Sequence, residues 1–302
     1  MTAVVVNPRA GGGRAGERFF RAWDKLGFAV SAKVLVPQTL EELERAVREL
    51  VAQGVSRLVA VGGDGTFHRV VNAAMGVGAG ELPVLGLVPA GTGSDLARAL
   101  RLPRSLPAAL RLAFTAPPRR CDLGELVTPT GVVFFCNVAS FGVSGLVDQR
   151  VNANPERGRW SFLLATLAAV REYRPVRCRV LVDGVQLYHG PVLVVAVANG
   201  QSFGKGMRIA PEARLDDGLL DVVAVQALPP GVLVRKLGRV YRGTHLGLPQ
   251  VRWARGQEVQ LELAPPCPPF DVDGECYLAG NPAVFRVRPK ALPVALADSS
   301  AA

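Results

Sequence analysis

The sequence predicts an α/β chain: a doubly wound, mostly parallel sheet at the start, then a second domain rich in β-structure. Three observations predict it. Short, continuous apolar runs alternate with amphipathic helical segments over about the first hundred residues, the signature of strands covered on both faces. Three of those runs end in glycine-rich loops, "NPRAGGG" (7–13), "GGDGT" (62–66) and "PAGTGSD" (89–95), which a parallel sheet would bring to one edge. Past a proline-rich "APPRR" at 116–120, strand patterns separated by Asp-Gly turns take over.

Taken in order, "AVVVNP" (3–8) reads as the first strand, a helical segment follows over 15–26, and "FAVSAKVLV" (28–36) is the second strand. In "TLEELERAVRELVAQ" apolar residues fall at 43, 46, 47, 50 and 51, one helical face, and Thr39 with Glu42 forms a capping box at its start. "RLVAV" is the third strand, a helix follows from about Thr66, and "PVLGLVP" (83–89) is the fourth strand, leading through "AGTGSD" into the helical "LARALRL". In the second part, strands are expected at 121–128, 132–138, 176–183, 191–199, 219–226, 258–264, 270–273 and 283–288, with helices at about 158–173 and 230–241. The division is therefore 1–118, 119–290 and a C-terminal tail, 291–302, whose "ALADSSAA" is expected to be unordered.

The chain has 302 residues, 49% hydrophobic and 20% charged, enough for one large or two ordinary domains. The start lacks the basic and apolar regions of a secretory signal, and no apolar run approaches the ~20 residues that span a bilayer. Five cysteines without a C-x-x-C pair, or metal-ligand spacing with the three histidines, read as a reduced, cytoplasmic protein without zinc. The net charge of +10 suits an anionic membrane surface, phosphorylated substrates or nucleic acid. Thirty of the 35 basic residues are Arg spread along the chain, a pattern that codon bias also produces. Without basic–aromatic interleaving, nucleic acid is set aside, and peripheral contact with an anionic membrane surface is the expected partner.

The glycine loops carry the chemistry. Gly62, Gly63 and Gly65 cost conformational entropy that a plain strand-to-helix turn does not require. Close backbone approach to an anion, with amides at a helix N-terminus facing it, supplies the reason. The loops are neither a P-loop nor a G-x-G-x-x-G, so a nucleotide would be held differently. Backbone amides would meet its phosphates, Thr66 and Thr92 could add hydroxyls, and Asp64 could act through Mg²⁺.

This ordered set resembles the diacylglycerol kinase catalytic domain family, specifically its bacterial soluble lipid kinases. The resemblance rests on N-P-x-x-G at 7–11, G-G-D-G-T at 62–66, P-x-G-T-x-x-D at 89–95, D-D-G-x-L at 216–220 and D-G-E at 273–275. It implies a nucleotide-binding first domain, a β-sandwich second domain that carries the lipid end, in an NAD-kinase/diacylglycerol-kinase-like fold, and transfer of phosphate from ATP to a lipid hydroxyl. Carried onto this chain, Asn7, Pro8, Arg9, Ala10 and Gly11 form the first nucleotide loop. Gly62, Gly63, Asp64, Gly65 and Thr66 form the second, and Thr92 is the contact of the third. Glu275 is the implied general base, and Asp217 with the carbonyls of Arg214 and Leu219 the implied Mg²⁺ site. Asp64, Asp95 and Asp122 match acidic positions that the family links to that metal through water. Taken alone, "VDGE" also reads as a hairpin turn and "DDGL" as a turn into a strand.

Three departures stand out. After G-G-D-G-T the family's Asn and Glu are replaced by His68 and Arg69, so those two roles are not carried over. Ser94 replaces an Asn, and Leu35 stands where the family has a nucleotide-contacting Thr. The expected activity is ATP- and Mg-dependent phosphorylation of a lipid alcohol, diacylglycerol by default. NAD kinase, which shares G-G-D-G-T, and a catalytically silent binding protein of the same fold are the alternatives. Oligomeric state is left open, a homodimer included.

Overall fold

Apolar runs without polar alternation can be buried on both faces, and the first strands are. The computed structural model describes residues 1–25, 31–78, 80–91, 95–147, 168–169, 171–265 and 269–297. Strands β1 (Thr2–Val6), β2 (Ala32–Leu35), β3 (Arg57–Gly62) and β4 (Val84–Pro89) form a parallel sheet in the order β4-β3-β1-β2. Helices α1 (Ala15–Trp23), α2 (Leu40–Ala52), α3 (Asp64–Met75), α4 (Asp95–Ala99) and α5 (Leu106–Thr115) accompany it. Val4, Val6, Val59, Val61 and Val88 pack with residues of α1 and α5 in one core. Successive strand side chains point to opposite faces. The intervening Ala3, Val5, Leu58 and Ala60 are buried as well, with Leu43, Val47, Leu50, Phe67 and Val70 of α2 and α3. The sheet is thus doubly wound, as expected. Thr39 caps α2 by accepting from the Glu42 N–H, while the Glu42 carboxylate accepts from the Gln38 N–H. The C-terminal segment adds beside β4, Val294 opposite Leu85 in parallel.

The chain divides into two compact units, Met1–Asp122 with the segment that starts at Lys290, and Leu123–Pro289. In the second unit the pairing is antiparallel. β5 (Pro118–Thr128) pairs with β6 (Gly131–Phe135), and the 14-residue β9 (Val185–Ala198) organises the rest. The first part of β9 pairs with β8 (Val176–Val182). Its second part pairs with β7 (Val138–Gly142) on one side and with β10 (Leu220–Gln226) on the other. β11 (Val251–Gly256) extends β10. β12 (Glu258–Leu263) joins β8 to β15 (Ala283–Ala295) through residues 283–286. β13 (Phe270–Val272) links β7 to β14 (Glu275–Tyr277). Leu126, Phe135, Phe141, Val195, Phe270 and Phe285 centre one core. The opposite faces of β9 and β10 form a second core under helix α6 (Pro230–Arg242).

Several boundaries differ from expectation. The segment 291–295, expected as tail, is strand. Its few apolar residues become a strand because β15 pairs with β5 and reaches β4 at Val294. The strand expected at 132–138 breaks into β6 and β7, since the amides of residues 136–138 turn to a carboxylate (below). α5, β11 and β14 were not anticipated; β11 alternates exposed cations and Trp253 on an edge, which reads as loop. The helix expected at 158–173 lies almost wholly outside the described residues, as do 28–30 of the second strand.

Candidate active site

In the first unit the glycine loops are tied together by contacts that a sequence does not show. Asn7 follows β1, and its N–H donates to the Val61 carbonyl. Its side-chain oxygen accepts from the Arg9 N–H at 3.0 Å, and its Nδ2 donates to the Thr66 hydroxyl at 2.9 Å. Pro8 and Ala10 complete the turn, with the Ala10 N–H returning to the Asn7 carbonyl. Gly11 has φ +60°, and a Cβ there would collide with the Ala90 carbonyl, so the first and third loops approach as only glycine permits. A Cβ at Gly62 would likewise run into Thr66. Thr66 is buried, so its hydroxyl pins the first loop to the second.

Asp64 opens α3, where Gly63 and Gly65 flank it, and a carboxylate oxygen accepts from the Asp95 N–H at 2.9 Å and the Leu96 N–H at 3.5 Å. It thereby serves the amide end of α4 from another loop. Asp64→Ala should lower unfolding free energy by about 1 kcal/mol, the worth of a helix cap. Chemical denaturation of wild type and variant measures it; a loss of several kcal/mol would make this carboxylate chiefly structural. Thr92 lies outside the described residues. Asp95 pairs with Arg98 at 3.0 Å, and Asp122 accepts from the Lys290 N–H at 2.7 Å.

The two departures after the second loop have a packing explanation. Arg69 forms a 2.8 Å ion pair with Glu44 of α2, so its guanidinium joins two helices. His68 is buried within α3, where the Asn72 amide donates to its carbonyl at 2.9 Å. Leu35, in β2, is half-buried.

The second unit carries the remaining residues. "VDGE" is a hairpin turn between β13 and β14, with Asp273 at φ +51° and Gly274 at φ +91°, which places Glu275 opposite Val272. Asp271 accepts from the Gly274 N–H at 2.8 Å. Asp273 accepts three amides, from Cys136 at 2.8 Å and from Asn137 and Val138 at 3.0 Å each. Beside it the buried Asn137 donates to the Ser202 carbonyl and Asn199 to the Cys136 carbonyl. This polar network was missed from sequence; "CN" at 136–137 and "NG" at 199–200 carry no motif that marks it.

Asp217 accepts from the Leu219 N–H at 3.2 Å, and Arg214 pairs through its side chain with Asp216 at 3.5 Å. Four residues beyond Asp217, the buried Asp221 is pushed up to about 6 by desolvation, against the opposing pull of Arg255 at 3.2 Å. Among the described residues no cluster of three His, Cys, Asp or Glu side chains could hold a metal. The second unit also holds a partly open, almost wholly apolar cavity of about 90 Å³. Val143, Leu193, Phe203, Met207, Leu233 and Leu237 are among its walls. Its residues are scattered over a hundred positions, so no local pattern announces it.

Two domain families match. Residues 1–126 match the diacylglycerol kinase catalytic domain, and residues 137–296 match the YegS C-terminal NAD kinase beta sandwich-like domain. A diacylglycerol kinase of Mycobacterium tuberculosis (strain ATCC 25618 / H37Rv) is 31% identical over 96% of this chain and 93% of that protein. The chain belongs to the diacylglycerol kinase family. It is an enzyme of the lipid kinase type. The fold agrees: a diacylglycerol kinase from Bacillus anthracis str. Sterne superposes with a TM-score of 0.76 at 19% identity, covering 99% of this chain and 98% of that one. Yeast NADH kinase shares the fold more distantly, with a TM-score of 0.52 at 12% identity over 97% of this chain and 82% of that one. For this lipid kinase, no described helix is long and apolar enough to cross a membrane.

Proposed function

We propose that this lipid kinase transfers the γ-phosphate of ATP, as its Mg²⁺ complex, to the hydroxyl of a lipid alcohol, diacylglycerol being the default acceptor. The observation that carries the reading is the joining of the three glycine loops. Gly11 lies against Ala90, Asn7 holds Thr66, and Asp64 holds the amides of α4. A floor of glycine backbone beside the first amides of α3 suits phosphate oxygens. Asn7, Thr66 and Asp64 then act mainly by fixing that floor, while the other loop amides meet the nucleotide.

Glu275 is the proposed base. Its carboxylate takes the proton from the acceptor hydroxyl as the oxygen attacks the γ-phosphorus, and ADP leaves with the electrons of the broken P–O bond. The apolar cavity supports a lipid acceptor, since it offers hydrocarbon-lined volume and almost no polar wall.

For Mg²⁺ the residues fit by donor chemistry: one carboxylate, Asp217, and the carbonyls of Arg214 and Leu219 are hard oxygen ligands. When bound, the ion would supply charge neutralisation for the phosphates. Asp217→Ala should raise the Mg²⁺ concentration for half-maximal rate at least tenfold, with ATP saturating. An unchanged Mg²⁺ dependence would remove this residue from the metal site.

Incubation of the purified chain with radiolabelled ATP, a panel of lipid alcohols and NAD tests the function itself. Label should enter a lipid. Label in NAD alone would replace the proposal with NAD kinase, and label in neither would leave a binding protein.

A further inference from the structure

We propose that α6 docks this enzyme onto an anionic lipid surface, an inference that rests on a lipid acceptor and names the face that meets it. From Val222 to Gln257 the chain contains no Asp or Glu, whereas six cations fall in that stretch: Arg235, Lys236, Arg239, Arg242, Arg252 and Arg255. Four of the six lie on α6. Several cations elsewhere in the fold find carboxylates, as Arg69 does with Glu44, Arg286 with Glu258 and Arg288 with Glu125, and Arg255 of this stretch pairs with Asp221. Among the described residues, Arg235, Arg239 and Arg242 make no ion pair, and all three are exposed.

The other side of the helix explains its position. Leu233, Leu237 and Val240 turn inward and line the apolar cavity. The helix is therefore a wall of the cavity with its cations outward. Arg235 and Arg239 are one helical turn apart, as are Arg239 and Arg242, so they repel one another in water. Anionic headgroups would relieve that repulsion, which is charge complementarity of the kind a bilayer offers. Val232 and Tyr241 are also exposed on this helix. Trp253, exposed on β11, is in register with Val223, a residue of the core beneath α6, and so shares its sheet face. Tyr and Trp suit the headgroup level of a bilayer. Nucleic acid would also attract cations, but it gives no reason for them to lie on a helix whose other side lines an apolar cavity.

The test is cosedimentation of the full chain with phosphatidylcholine vesicles, with and without phosphatidylglycerol, at low and physiological salt. The wild type should bind only the anionic vesicles, and less as salt rises. The triple variant R235Q/R239Q/R242Q should lose about fivefold in affinity per cation, on the order of a hundredfold in all. A control of equal charge loss on exposed arginines of the first unit, R18Q/R45Q/R104Q, should bind nearly as well as wild type. Activity of the α6 variant on detergent-dispersed diacylglycerol, which needs no bilayer, should equal wild type. Anionic-vesicle binding unaltered in the α6 variant, or equally weakened in both variants, would overturn the proposal. So would displacement of wild type from anionic vesicles by RNA at matched charge, if the α6 variant lost RNA affinity to the same degree. Selective loss of vesicle binding in a protein that phosphorylates no diacylglycerol would support the docking face while removing the substrate reading.

Discussion

Glu275→Gln should lower turnover by a factor of about 10²–10⁴ while ATP binding stays in place, because the carboxylate acts on the acceptor hydroxyl and not on the nucleotide. The substitution is nearly isosteric. The turn at Asp273 and Gly274 and the pairing of residue 275 with Val272 set the hairpin, and neither requires a carboxylate at 275. The glycine loops belong to the other unit of the chain. Two measurements decide it: turnover with saturating lipid, and ATP affinity by calorimetry. Retention of more than about a tenth of wild-type turnover would exclude Glu275 as the base, since general-base loss costs more than that.

Asp273, two residues earlier in the same motif, should behave in the opposite way. Its carboxylate takes three backbone amides at 2.8–3.0 Å, so it clamps the chain between β6 and β7. Asp273→Ala leaves those donors without their acceptor, and bonds to a charged group are the stronger kind. The expected loss is about 3–5 kcal/mol of unfolding free energy, read from urea titration. Activity should fall along with stability, since the hairpin that carries Glu275 is fixed by the same clamp. Asp273→Asn keeps one oxygen and accepts the left-handed backbone, so it should recover part of the loss. An alanine variant as stable as wild type would show that water replaces the carboxylate at no cost. The adjacent motif residues thus separate by measurement: one changes chemistry with the fold unchanged, the other changes the fold first.

Residues of G-G-D-G-T illustrate how far local sequence carries. The glycines signal a close backbone approach, and the structure has it, though the partner that makes Gly62 necessary is Thr66 of the same motif. Thr66 reads from sequence as a hydroxyl for a ligand, yet its oxygen accepts from Asn7, 59 residues away. Arg69 reads as a disturbed site and is a helix–helix ion pair with Glu44. For Thr66 and Arg69 the residue type was legible and its partner was not, because the partner comes from a distant part of the chain.

By itself the sequence determined the doubly wound first unit, since continuous apolar runs and a 3.6-residue period are local properties that already imply strands covered by helices. It also determined the family, through five short motifs whose order survives without any knowledge of contacts. Only the tertiary structure decided that Asp64 serves the amides of α4, that Asp273 clamps three amides across β6 and β7, and that residues 291–295 become a strand beside β4. Tertiary structure alone also decided that α6 roofs an apolar cavity with its cations outward. These are pairings between positions far apart in the chain. A carboxylate's acceptor capacity and a strand's open edge are present in every local sequence that contains them, but what fills them is chosen by packing.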